Sequence, residues 1–140
     1  MKRLLHIGTD GTLLDILSLI LRVSIAAFML THGMDKLSLL SSGNEIQFPD
    51  PMGIGATFSL VLTIFAEVIC SVLIAIGLVT RLASIPLIFT MLVATFIVHG
   101  ADPFAKKEFA LLYLLVYLVI FVVGSRRYSL DALLLKKKQD

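Results

Sequence analysis

Apolar residues fall into four long blocks separated by short polar breaks. The pattern predicts membrane-spanning helices at about residues 13–33, 54–79, 82–98 and 109–124. A hydrocarbon core of ~30 Å needs about 20 helical residues, which the first two blocks supply and the other two approach. A short polar lead, residues 1–12, carries Lys2, Arg3 and His6. The longest break, residues 34–53, reads as turns through Gly43, Pro49-Asp50-Pro51 and Gly53. Only Thr80-Arg81 separates the second block from the third, and Pro86 lies early in the third, where a missing amide costs least. Residues 99–103 interrupt the chain again, and Lys106, Lys107 and Glu108 precede the last block. In the tail, 125–140, Ser129 can cap a short helix that puts Leu130, Leu133 and Leu134 on one face. Followed by Lys136, Lys137 and Lys138, that helix suits an anionic lipid surface, with docking of a soluble partner as the alternative.

One stretch, residues 21–37 (LRVSIAAFMLTHGMDKL), organises the rest. Residues 22, 26, 29, 33 and 36 share one helical stripe, so Arg22 and Lys36 flank a notch of Ala26, Met29 and Gly33. An arginine at the bilayer centre costs roughly 2.5–3.5 kcal/mol on insertion scales, so Arg22 must face protein or water and find a partner. Counting ~1.5 Å per residue, Arg22 lies roughly 14 Å and Glu67 roughly 18 Å from the same side. They are the two formally charged residues at that depth, which predicts an Arg22–Glu67 ion pair between the first and second spans. The pair either fixes helix register or lines a polar pocket. Thr63 and Ser71, at i−4 and i+4 from Glu67, extend its polar stripe.

Composition agrees with the pattern. Hydrophobic residues make up 58 % and charged residues 16 % of 140, and the mean hydropathy is +0.97. These values describe a multi-spanning membrane protein rather than a soluble globule. A net charge of +2 without a basic–aromatic surface excludes nucleic acid as a partner. A single cysteine, Cys70, excludes a disulfide scaffold and a CxxC redox motif, and reads as a packing residue. Lys2 and Arg3 before an apolar run imitate a signal peptide. Arg22 interrupts that run, which continues to Leu30, so the segment reads as an anchor. Lysines and arginines number 8 on the side shared by the termini and 3 on the other, which predicts cytoplasmic termini. The fold class is therefore an all-α polytopic membrane protein, a bundle of four transmembrane helices in a bacterial cytoplasmic (inner) membrane.

A second constellation lies at the outer boundary. His32 and Lys36 end the first span, His99 ends the third, and Glu108 opens the fourth, with Asp35 and Asp102 nearby. Such residues either snorkel to the interface or form a ligand mouth. His32, His99 and Glu108 have metal-ligand character, but no local HxxxH spacing supports a metal site. Tyr113 and Tyr117 share a face of the fourth span and can hydrogen-bond an inserted ring. Walker, dinucleotide and serine-nucleophile motifs are absent, which leaves catalytic residues unassigned and no intrinsic cofactor.

Taken in order, LRVSIAAFMLTHGMDKL, AEVICSVLIAIGLVTRLAS and GSRRYSLDALL resemble the DoxX family of small bacterial membrane proteins. The resemblance is carried by Arg22, His32-Gly33 and Lys36, then Glu67, Gly77-Leu78 and Thr80-Arg81, then Gly124 and Ser129-Leu130-Asp131. It implies a four-helix bundle associated with redox or thiol-stress functions. Some members are membrane subunits of complexes with soluble oxidoreductases, and the related DoxD-type subunit belongs to a thiosulfate:quinone oxidoreductase. The reading that follows is a redox-linked membrane subunit, alone or as a homo-oligomer. It would hold a quinone-like molecule and recruit a soluble oxidoreductase at its basic face. The alternatives are a small-solute or proton-coupled transporter, or a scaffold without a ligand. Four short spans without obvious internal repeats leave little room for alternating access.

Overall fold

The structure, a computed structural model, describes residues 10–137. Lys2, Arg3, His6 and Lys138 lie outside them. All regular structure among the described residues is helical: α1 (Gly11–Ser41), α2 (Ala56–Ile76), α3 (Thr80–Val98), α4 (Phe104–Val123) and α5 (Leu130–Lys137). The first three are long and apolar enough to cross a membrane. Helix α4 has the length, 20 residues, but opens with Lys106, Lys107 and Glu108.

Burial is arranged for lipid. Leu17, Ile20, Phe28, Leu82, Phe96, Phe109 and Val122 are each more than half exposed. The interior holds Ile25, Met29, Ala66, Cys70, Ile74, Leu87, Met91, Leu114, Tyr117 and Ile120 in one cluster. An exterior this apolar would not remain dispersed in water, and against hydrocarbon it carries no penalty. The predicted stripe on α1 faces inward: Arg22, Ala26, Met29 and Gly33 are buried and Lys36 is half-buried. Helix α1 packs along the whole of α2, most closely over its last turns, and α3 packs along α4.

Helix ends depart from the predicted boundaries for local reasons. Helix α1 continues to Ser41, eight residues past Gly33, so Asp35 and Lys36 are helical rather than in a loop. Helix α4 starts at Phe104, five residues early, and takes its three charged residues into its first turns. Helix α2 stops at Ile76 because Gly77 is left-handed (φ 73°), with Gly77 N–H donating to Ile74 O (3.1 Å) and Leu78 N–H to Leu73 O (2.9 Å). This pair of bonds satisfies the last carbonyls of α2 and turns the chain directly into α3. Val79 is also left-handed (φ 45°), an unusual conformation for a β-branched residue. Its amide is held by Asp131 Oδ1 (2.9 Å), reaching over from α5.

Two segments with wide π-type turns, Phe65–Cys70 in α2 and Ala94–Val98 in α3, have no counterpart in the hydrophobic pattern. Such turns re-aim side chains and recur at functional sites. The first of them carries Glu67.

At Gly77 an added methyl would be strained by its positive φ and would collide with Arg22 Nη1 and Ser129 Cβ. Gly77→Ala is expected to destabilise the fold by at least about 1–2 kcal/mol from backbone strain alone. The measurement is thermal unfolding in detergent; an unchanged midpoint would contradict the turn geometry.

Candidate functional site

Glu67 is buried in the bundle, and its cation is Lys36: Nζ donates to Oε2 at 2.7 Å. The predicted Arg22–Glu67 pair is not formed. Arg22, fully buried, donates instead to the carbonyls of Ile74 (3.3 Å) and Tyr128. The cause is side-chain direction. Helical side chains lean toward their own N-terminus. Lys36 therefore folds back over the turn at Gly33, while Arg22 reaches away from Glu67 toward the tail. Gly33 is the α1 residue level with Glu67, since an added Cβ there would stand 3.2 Å from Glu67 Cβ. It lies eleven residues beyond Arg22, or roughly 16 Å along the axis. The first turns of α1 run past the end of α2 and pack on the tail, through Asp15–Arg126 (2.7 Å) and Ser18 Oγ to Gly124 O (3.5 Å). Depth measured from the start of the apolar block is offset by that overhang.

The outer constellation is divided rather than gathered. Tyr113 packs edge-on against His32 (5.9 Å, 86°) and stacks on Tyr117 (6.2 Å, 22°), and both tyrosines face Glu67. His32 itself is exposed on α1. His99 bonds Asp102 Oδ2 through Nδ1 (2.8 Å), and that hydrogen bond, with Lys106 and Lys107 nearby, holds the Asp102 carboxyl below the usual range. Glu108 is exposed and stands apart. No group of three or more His, Cys, Asp or Glu side chains among the described residues is placed to hold a metal ion.

Beside the Lys36–Glu67 pair lies a pocket of about 460 Å³. Its walls are apolar: Leu62, Phe65 and Ala66 from α2, then Pro86, Phe89, Val93 and Ala94 from α3. Lys36 and Glu67 supply charge to the lining, and Ser59, Thr63, Thr90 and His99 its other polar groups. The volume falls within the ~300–1,000 Å³ typical of small-molecule sites, which are mostly apolar with few polar groups. The loop before α2 covers the pocket with Phe48, Pro49, Pro51 and Met52.

Asp50 pins that cover. Its carboxylate accepts from Gly55 N–H (2.7 Å), Ile54 N–H (3.0 Å) and Ser59 Oγ (2.8 Å). The Gly55 amide chiefly, then the Ser59 hydroxyl, holds the Asp50 carboxyl below its ordinary range. A depressed carboxyl stabilises above the unfolded pKa, so this clasp is complete at neutral pH and weakens as pH falls through the lowered value. Pattern reading found the turn and missed the clasp. The available signal was an Asp four and five residues before two amides, with a serine on the next helical turn.

The family model described as DoxX matches residues 17–100. This chain belongs to the DoxX family. A Bacillus subtilis (strain 168) protein named "Putative oxidoreductase CatD" is 30 % identical over 127 residues, covering 90 % of this chain and 92 % of that one. No solved structure matches. The family match covers both the Lys36–Glu67 pair and every residue lining the pocket, so the site belongs to the DoxX region itself.

In this DoxX protein Lys36→Met would leave Glu67 buried without its cation. Removing one partner of a buried pair costs roughly 3–5 kcal/mol, whereas replacing both with apolar residues is often neutral. Lys36→Met is expected to lower the unfolding midpoint markedly, and Lys36→Met/Glu67→Leu to recover most of the loss. Additive losses in the double variant would show that the two residues do not interact.

Proposed function

We propose that this chain is a membrane subunit of a redox-linked assembly, holding a quinone-like molecule in the pocket beside Lys36 and Glu67. The observation that carries this reading is a largely apolar pocket of about 460 Å³ lined by the Lys36–Glu67 ion pair. A flat lipophilic ring with carbonyl oxygens matches both features. Phe65 and Phe89 offer aromatic surface, while Lys36 spends one ammonium donor on Glu67 and has others for a carbonyl oxygen. A bound quinone would supply electron acceptance, and the residues of this chain bind it, orient its oxygen and keep water away.

Nothing in the sequence resembles a flavin or metal motif, so electrons enter this scheme from a partner. A soluble oxidoreductase would dock at the tail end, where Arg81, Arg127 and Lys136 are exposed. The excess of Lys and Arg there orients that end to the cytoplasm of a bacterial inner membrane, with α4 as the fourth span. The relative named as an oxidoreductase supports the redox class.

The test is equilibrium binding of a short-chain benzoquinone and a naphthoquinone to detergent-purified protein. Wild type is expected to bind at least one of them. Loss of a charge-assisted hydrogen bond of roughly 1.5–3 kcal/mol would weaken Lys36→Gln by about tenfold or more. Arg22→Gln, remote from the pocket, would bind normally even if it unfolds earlier. Absence of binding to wild type, or equal affinity for folded Lys36→Gln, would overturn the assignment.

A further inference from the structure

Among the described residues five buried side-chain polar atoms have no hydrogen-bond partner, Thr80 Oγ1 and Thr95 Oγ1 on α3 and three that lie along one column: Tyr117 Oη, Ser71 Oγ and Arg22 Nε. These three come from α4, α2 and α1 respectively. A buried polar group costs free energy unless something satisfies it, and ordered water is the usual answer. One orphan is a local matter; three in a column ask for a common cause.

Their heights form a series. Glu67, Ser71 and Ile74 lie on one face of α2, spaced four and three residues apart, so the column descends roughly 10 Å toward the tail. Tyr113 and Tyr117 descend α4 beside it, stacked on one another and facing Glu67, and the Tyr117 hydroxyl lies by Ser71. Arg22 closes the lower end with its bond to Ile74 O, and next to Arg22 is Asp131, on the tail helix.

We propose that this column is a hydrated proton route connecting Glu67 with the tail-bearing face of the membrane. A hydroxyl accepts a proton on one lone pair while releasing its own, so Tyr117, Ser71 and intervening waters pass protons without a net change. Glu67 is the terminus. The groups facing it are Lys36 and His32 of α1 and Tyr113 and Tyr117 of α4, with His99 of the α3 end in the same pocket. The route deepens the ligand reading, because reducing a quinone takes up protons. Its test needs no quinone, so the two fail separately.

The experiment uses a lipophilic carbodiimide, which reacts with protonated carboxyls in apolar surroundings. Full-length protein is placed in lipid vesicles sorted to one orientation, with the pH set independently on each side. Modification of Glu67, including its amide with Lys36, is followed by mass spectrometry. The rate is expected to change roughly tenfold per pH unit on the tail side while the carboxylate predominates, and to ignore the other side. Tyr117→Phe and Ser71→Ala, singly and together, keep the packing shape and should abolish that dependence. A rate that follows the opposite side in wild type overturns the route, and that result needs no variant. Tail-side control that survives in the folded double variant overturns it as well.

Discussion

A carboxylate held in an apolar bundle is tolerable only with a cation against it, and Lys36 on Glu67 is where this structure meets that demand. The pair requires α1 and α2 to touch, which Gly33 permits, and it requires the π-type turn that presents Glu67. It also sets the character of the neighbouring pocket. Without the pair, the cavity would keep its apolar walls, the hydroxyls of Ser59, Thr63 and Thr90 and the His99 ring, but no paired charge. With it, the cavity offers one strong donor at a fixed position, which is the difference between a lipid groove and a binding site.

Arg22 solves a different problem at the other end. The α2–α3 turn leaves carbonyls facing the interior, and the tail brings another, Tyr128 O. A guanidinium with several fixed donors can bond both at once, which a lysine could not do with the same rigidity. Asp131 then secures the amides of Val79 and Thr80 while its own N–H bonds Gly77 O (3.0 Å). The start of α5 is thus held against the three-residue turn between α2 and α3, which carries a strained valine.

Much of this was legible in the amino-acid order. The apolar blocks located the long helices, the Arg22-Ala26-Met29-Gly33 stripe identified the inward face of α1, and Ser129 foretold the capped helix α5, where it accepts Ala132 N–H at 3.2 Å. Membership of the DoxX family agreed with the motifs. The pairing of charges was not legible, because equal depth by residue count ignores which way a helical side chain leans and how far one helix overhangs another. The π-type turns and the Asp50 clasp were hidden for a related reason: both depend on contacts between segments, not on periodicity within one. Of His32, His99 and Glu108, which shared a level in the reading, His32 lies near Glu67 and His99 lines the same pocket, while Glu108 is exposed.

The central claim is that Glu67 belongs with Lys36 and not with Arg22. Exchanging the charges tests it directly: Lys36→Glu/Glu67→Lys against Arg22→Glu/Glu67→Arg, each compared with wild type by thermal unfolding and size-exclusion behaviour in detergent. The account predicts that the first exchange keeps a folded protein with a midpoint near wild type, and that the second collapses because both residues lose their partners. A stable Arg22–Glu67 exchange beside a collapsed Lys36–Glu67 exchange would contradict it.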